Sequence, residues 1–320
     1  MIEHLPFYVH SFSKLKRDMK NGGAPHKPIL LLAVIKLFEE GTYFSNQLLI
    51  VPELVASFKR IWSQLVITKH DPILALPFYH MRSEPFWELI ANPGCEIWIE
   101  SKSSMRSFNN LNAAVKCAWI DDDLVVVLSD PSCRAILKET LLDTYFSETK
   151  SSYVDCDGMI ELDVSVLNET SEEYRQKIEI LKRTVARESY QEEIFVRCGI
   201  FKREIPKLYN NTCAISGMRV DATINISLLD ACHIVPFSEG QDDSISNGIA
   251  LCPNLHRAFD RGIISISDDY RVIVKSNFVE NDASPYSIKQ FDGARISLPI
   301  NEEHHPALEN IAQHRKKMGF

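Results

Sequence analysis

Three residues in the second half of the chain carry side chains suited to proton transfer and metal binding: His233, Asn247 and His256, separated by 14 and then 9 positions. An imidazole has an ordinary pKa near 6.5. At physiological pH it can take a proton from water or give a nitrogen lone pair to a metal. Asp230, just upstream of His233, adds a carboxylate to the same stretch. The flanking sequence indicates how these groups are held. Ile226 to Val235 reads as a strand apolar on both faces and stopped by Pro236, which places His233 at a strand end. Residues 237–248 are loop by composition and close on Asn247-Gly248, and Ile249-Ala250-Leu251 is long enough for a short returning strand. Pro253 fits the first turn of a helix that carries His256 and stops at Gly262. The expected order is strand, loop, short strand, helix.

Taken in that order, Asp230-x-x-His233-Ile234-x-Pro236, Asn247-Gly248-x-x-Leu251 and His256-x-x-Phe259-Asp260-x-Gly262 resemble the HNH, or ββα-metal, nucleases. The resemblance implies that His233 is the general base. It also implies a divalent cation that neutralises charge developing at the phosphate and on the leaving oxygen. His256 is the leading ligand, with Asp230 and Asn247 as further ones; Asn247 alternatively holds the loop or orients the base. Many relatives place Asp or His directly before the base, where this chain has Cys232. A thiolate there would favour softer ions, whereas a carboxylate and waters suit Mg²⁺ or Mn²⁺, the expected cofactors. Cys213-x-x-Ser216 and Cys252-x-x-Leu255 fall where some relatives carry paired Cys-x-x-Cys knuckles. Half the ligands are absent, so no structural zinc is expected.

The chain has 320 residues, 45% hydrophobic and 24% charged, enough for two domains with cores of their own and unlike a disordered protein. Its eight cysteines form no Cys-x-x-Cys pair and Met1 is followed by no apolar signal core, which predicts reduced thiols in a cytoplasm. The longest apolar run, Ile29 to Ile35, is far short of the ~20 residues a membrane helix requires, so no membrane partner is expected. A net charge of −8 is unhelpful for a DNA binder unless basic residues are concentrated locally. Residues 1–150 hold 16 Lys and Arg against 17 Asp and Glu, and residues 151–320 hold 19 against 26, so the acidity belongs mostly to the second half.

In the first half, residues 4–20 read as an amphipathic helix, Ile29 to Phe38 as a buried central helix stopped by Gly41, and residues 52–65 as a third helix. Leu76 to Ile90 is a compact aromatic segment, and residues 96–99 suggest a short strand. Ala118–Ile120 and Leu124–Leu128 suggest a hairpin around Asp121-Asp122-Asp123, followed by a helix from Asp130-Pro131 to Tyr145-Phe146. Three of these motifs, Pro25-His26-Lys27-Pro28, Pro77-Phe78-x-His80 with Phe86-Trp87, and Asp130-Pro131-x-x-Arg134, resemble the sulfur-binding domain of phosphorothioation-dependent restriction endonucleases. Sulfur in place of a non-bridging phosphate oxygen is larger, more polarizable and a weaker hydrogen-bond acceptor. An apolar cup therefore favours it over an oxygen stripped of water. Carried over, His80 and Arg82 form a basic and polar wall. The cup lies around Pro131 and Ser132 at a helix start whose N–H groups face a phosphate. Arg134, Ala135 and Lys27 are further candidates, Lys27 more simply read as a solvated helix start.

These readings predict an α+β protein, with a mainly helical recognition domain with a small sheet at 1–150, a linker and charged helix at 151–186, and a ββα-metal nuclease domain at 187–320. The charged helix begins near Asn168 and reaches Arg187. Another helix spans about Tyr190 to Tyr209 and carries Arg197, Lys202, Arg203 and Lys207, and a late hairpin pairs Ile263–Ile266 with Arg271–Val274 before a terminal helix. The expected substrate is double-stranded DNA carrying a phosphorothioate, with a homodimer left open. Two rivals stand beside it. One is a reader of a modified base such as methylated cytosine, caging it with Phe78, Tyr79, Phe86 and Trp87. The other is a DNA-binding regulator on an inactive HNH fold.

Overall fold

The computed structural model of the chain describes residues 3–100, 104–155, 169–220, 228–281 and 284–320. The fold is α+β, and the chain divides into two compact units, residues 1–161 with 185–196 and residues 162–184 with 197–320. The stretch read as a linker is thereby divided, and its charged helix falls in the second unit.

In the first unit, helices α1 (Leu5–Ser13), α2 (His26–Glu39), α3 (Pro52–Leu65), α4 (Ala75–His80), α5 (Phe108–Ala114), α6 (Asp122–Ser129) and α7 (Pro131–Tyr145) surround strands β1 (Gln47–Leu48), β2 (Trp87–Ala91) and β3 (Val115–Ile120). The strands form an antiparallel sheet in the order β1-β3-β2. Helix α2 is apolar nearly all round because it is buried nearly all round, from Lys27 to Phe38 with the exception of Lys36.

Three sequence expectations fail here for physical reasons. The first helix stops at Ser13 rather than continuing to Lys20, because tertiary partners capture the backbone beyond it. The Leu15 N–H donates to the Tyr145 hydroxyl at 3.0 Å and the Lys16 N–H to Glu84 at 3.0 Å. Asp121-Asp122-Asp123 is no hairpin turn but the start of α6, where acidic side chains suit the positive end of the helix dipole. Residues 96–99 form no strand; a 3₁₀ turn occupies Trp98–Glu100.

In the second unit, α8 (Ser171–Thr184) contacts the segment between strands β4 (Asp230–His233) and β5 (Gly248–Leu251), and the later part of α9 (Arg187–Leu208) packs on the hairpin these strands form. The chain continues through a short turn α10 (Phe237–Gly240), α11 (Pro253–Asp260), hairpin β6 (Ile264–Ile266) and β7 (Val272–Val274), and α12 (Leu308–Met318). The expected strand from Ile226 is described only from residue 228, and β4 begins at Asp230. Ile205, Cys232, Ile249, Leu251, Leu255, Phe259 and Ile264 share one apolar core, which fixes the hairpin against α9 and α11. Arg197, one of the basic residues of α9, is buried and bonded to Glu169 at 2.7 Å. No helix among the described residues is long and apolar enough to cross a membrane.

Candidate active site

Strands β4 and β5 pair antiparallel with His233 opposite Gly248 and Asp230 opposite Leu251, so the hairpin presents Asp230, Cys232 and His233 in sequence. Asn247 is fully buried and its amide is committed to the backbone. Oδ1 accepts the Val235 N–H at 2.9 Å, and Nδ2 donates to the carbonyls of Val235 and Asp242, each at 2.9 Å. Of the roles considered for it, the geometry favours the loop clamp over a metal contact, because the amide points along the chain that follows the base. Gly248 is required by packing rather than by a turn. Its φ of −120° is ordinary extended backbone, and a Cβ there would lie 2.2 Å from Cδ1 of Ile205.

The His233 ring lies flat on Phe201, with centroids 4.0 Å apart and planes 10° apart. Its Nε2 is 2.7 Å from Oδ1 of Asp243, a carboxylate with no exposed surface. A carboxylate oxygen only accepts, so Nε2 carries the hydrogen and Nδ1 keeps a lone pair. The other oxygen of Asp243 accepts the buried Tyr174 hydroxyl at 3.3 Å. Burial, and then the charge of Asp243, push that phenol well above its ordinary range. The later part of the 237–248 loop is therefore not solvated as composition suggests, since Asp242, Asp243, Ser244 and Ile245 are all buried. Asp243 was not singled out in the sequence, where two adjacent acids between Gln241 and Ser244 look like a solvated turn.

The strand that carries His233 also carries Cys232, which has a sulfur suited to a metal. Cys232, His256 and Asp260 bring a sulfur, a nitrogen and an oxygen within 4.8 Å of one another. His256 Nε2 faces Asp260 at 3.4 Å, while its Nδ1 is 3.0 Å from Asp230. The structure thus places Asp230 on the far side of the imidazole, in the position of an outer carboxylate that fixes ring orientation, and puts Asp260 beside the other nitrogen. Asp260 was missed in the sequence. The signal was present, since His256 and Asp260 are four apart on a helix opened by Pro253 and so share a face. The donor set fits a divalent cation, because three protein ligands of mixed softness leave room for water or substrate. Burial raises the Cys232 thiol well above its usual range, and Asp260 and Asp230 raise it further. The same negative surroundings would attract a cation.

Cys213 and Cys252 meet at the expected knuckle position. The Cys252 N–H donates to Cys213 Sγ at 3.3 Å, and the Ser216 N–H at 3.5 Å. Leu255, where a further zinc ligand would stand, packs into the apolar core. A hydrogen bond from Cys252 lowers the Cys213 thiol.

In the first unit, a cavity of about 630 Å³ is lined by residues that include Arg17, Lys27, His70, His80 and Arg82. Lys27 is neither a solvated helix start nor free for DNA. Its ammonium is buried and donates to Glu84 and to Ser83 Oγ, the latter at 2.7 Å. Arg82 lies over the Tyr79 ring at 4.9 Å and donates to the Ile99 carbonyl at 3.0 Å. Pro131, Ser132, Arg134 and Ala135 do not line this cavity. They sit at the start of α7, whereas Tyr145 at its other end lies beneath Arg17, 4.3 Å from ring centroid to guanidinium. A helix rises ~1.5 Å per residue, so the proposed cup and wall are about 20 Å apart along α7. The helix start is also already occupied: Asp130 accepts the Cys133 N–H at 2.9 Å, and Arg134 donates to the Leu128 carbonyl at 2.6 Å. A carboxylate there opposes a phosphate. The aromatic cage fails as well, because Phe78, Phe86 and Trp87 are core residues.

Among family models, one described as HNH endonuclease matches residues 213–267, the segment that spans the knuckle, the hairpin and α11. A solved structure titled "Modification dependent TagI restriction endonuclease" is similar to the chain at 23% identity with a TM-score of 0.28, over 37% of this chain and 36% of that one. No curated protein matches. Residues 213–267 are thus an HNH endonuclease domain.

Proposed function

We propose that the chain is a modification-dependent restriction endonuclease that binds phosphorothioate DNA through its first unit and cuts it with the HNH domain. The observation that carries the catalytic part is the His233–Asp243 pair set beside Cys232, His256 and Asp260. Asp243 holds the Nε2 hydrogen, and Nδ1 of His233 takes a proton from a water molecule. The oxygen of that water forms a bond to phosphorus as the bond to the leaving deoxyribose oxygen breaks. The stack on Phe201 and the Asn247 clamp fix the ring while the proton moves. Cys232, His256 and Asp260 would hold the divalent cation, which supplies positive charge for the phosphate and leaving oxygens.

For recognition, the supporting observation is that His80 and Arg82, carried by the Pro77-to-Trp87 motif, line one cavity in the first unit. The test is a titration of the full chain with Rp, Sp and unmodified duplexes of one sequence at two salt concentrations. One diastereomer should bind roughly ten- to a hundredfold tighter, the cost of burying an unpartnered oxygen where sulfur fits. The ratio should hardly change with salt, since all three duplexes carry the same charge. Equal affinity for all three rejects sulfur reading, and preference for a methylated base would assign the same unit to base reading.

A further inference from the structure

We propose that the cavity of the first unit receives a whole nucleotide turned out of the duplex, with its phosphate at Arg17 and Arg82 and its base toward the imidazoles of His26 and His70. The inference rests on the reading that this unit binds the modified DNA, and it adds how the DNA is held. Size is the first reason. About 630 Å³ is the volume of a small-molecule site rather than of a shallow groove for a duplex backbone.

Charge is the second. Lys16, Arg17, Lys27 and Arg82 line the cavity, and against Asp18 in the lining, Glu84 paired with Lys27 and Glu100 paired with Arg82 they leave a local excess of four bases to three acids, in a chain whose acids outnumber its bases by 43 to 35. A concave site with that local excess attracts an anion. The third reason is the unspent hydrogen-bonding capacity of the wall. His26 Nε2 is 3.0 Å from the Asp71 carbonyl, so it carries the hydrogen and leaves Nδ1 as an acceptor. Burial keeps that ring neutral by lowering its pKa to about 4. His70 uses Nδ1 on Thr68 at 2.8 Å and leaves Nε2 unbonded among the described residues. The Tyr79 hydroxyl, buried in the same wall, has no hydrogen-bond partner among the described residues. A buried hydroxyl left open, as at Tyr79, with half-buried imidazoles beside it, marks where a ligand or a water completes the site. Acceptors with an apolar floor of Leu76 and Pro77 suit a base that carries an exocyclic amino group.

The experiment uses the full chain and duplexes with 2-aminopurine beside the modified or unmodified linkage, followed by fluorescence at saturating protein. A severalfold rise for the modified duplex, reduced in Arg17→Gln and in His70→Ala, is expected. Arg17→Gln should also lower the salt slope of binding by about one. Saturable, modification-selective binding with no rise at any tested position overturns nucleotide capture while leaving the recognition reading intact. A rise of equal size with the unmodified duplex supports capture and rejects modification reading. Absence of binding to every duplex overturns both.

Discussion

Nε2 of His233 lies 2.7 Å from Oδ1 of Asp243, so the proposed general base is held by a carboxylate that has no exposed surface. Asp243→Asn keeps the shape but allows the amide to donate where only an acceptor fits the working tautomer. Single-turnover cleavage should slow roughly ten- to a hundredfold, a large part of what a general base contributes, with little change in DNA affinity. An unchanged cleavage rate would show that Asp243 only fills space.

Gly248 offers a test of how the base is supported from below. In Gly248→Ala the new Cβ meets Ile205 and the Phe201 ring that carries His233. Overpacking of this kind should cost about 1–3 kcal/mol and slow cleavage as well. Thermal unfolding measures the first effect. Adding Ile205→Ala to the variant should restore part of both losses, whereas additive damage would show that the two sites do not touch.

The metal group separates an inner from an outer carboxylate. Asp230→Asn should weaken binding of a divalent ion roughly 10–100-fold, as for other orienting partners of a ligating imidazole, and Asp260→Asn should weaken it more. Co²⁺ binding followed by absorption also reports the thiolate directly. A sulfur-to-cobalt charge-transfer band present in the parent and lost in Cys232→Ser is the expected result, and a band that survives would remove Cys232 from the set.

His314 stacks on Phe259, donor or acceptor to Ser265 at 2.8 Å, and burial lowers its pKa to about 4. In the unfolded chain it titrates near 6.5. The unfolded state therefore binds the extra proton between those values. The contribution of the neutral ring is complete above about pH 6.5 and is lost as pH falls toward 4, up to roughly 3 kcal/mol. Denaturant unfolding at several pH values should show this slope in the parent and a smaller one in His314→Gln.

Much of the nuclease core was legible because its order depends on local rules. A proline stops one strand, another opens a helix, and the Asn-Gly pair marks the return, so His233, Asn247 and His256 fell on the expected elements. Asp243 was not legible, since its burial depends on Tyr174, 69 positions away in sequence. That the expected sulfur cup and the His80–Arg82 wall do not share one cavity was not legible for a related reason. Motifs near both ends of the first domain named plausible residues, but only the packing of α1 on α7 shows that Arg17 sits at the Tyr145 end and Pro131 at the other. Lys27 was misread because sequence places a lysine at a helix start in solvent, while Glu84 buries it.

The most direct measurement compares cutting of phosphorothioate-modified and unmodified plasmid of one sequence by the parent protein and by His233→Ala, each with Mn²⁺ and with chelator. The expected result is cleavage of the modified plasmid by the parent with metal and nowhere else, while His233→Ala still binds the modified DNA. Equal cutting of both plasmids, or cutting by His233→Ala, would contradict it.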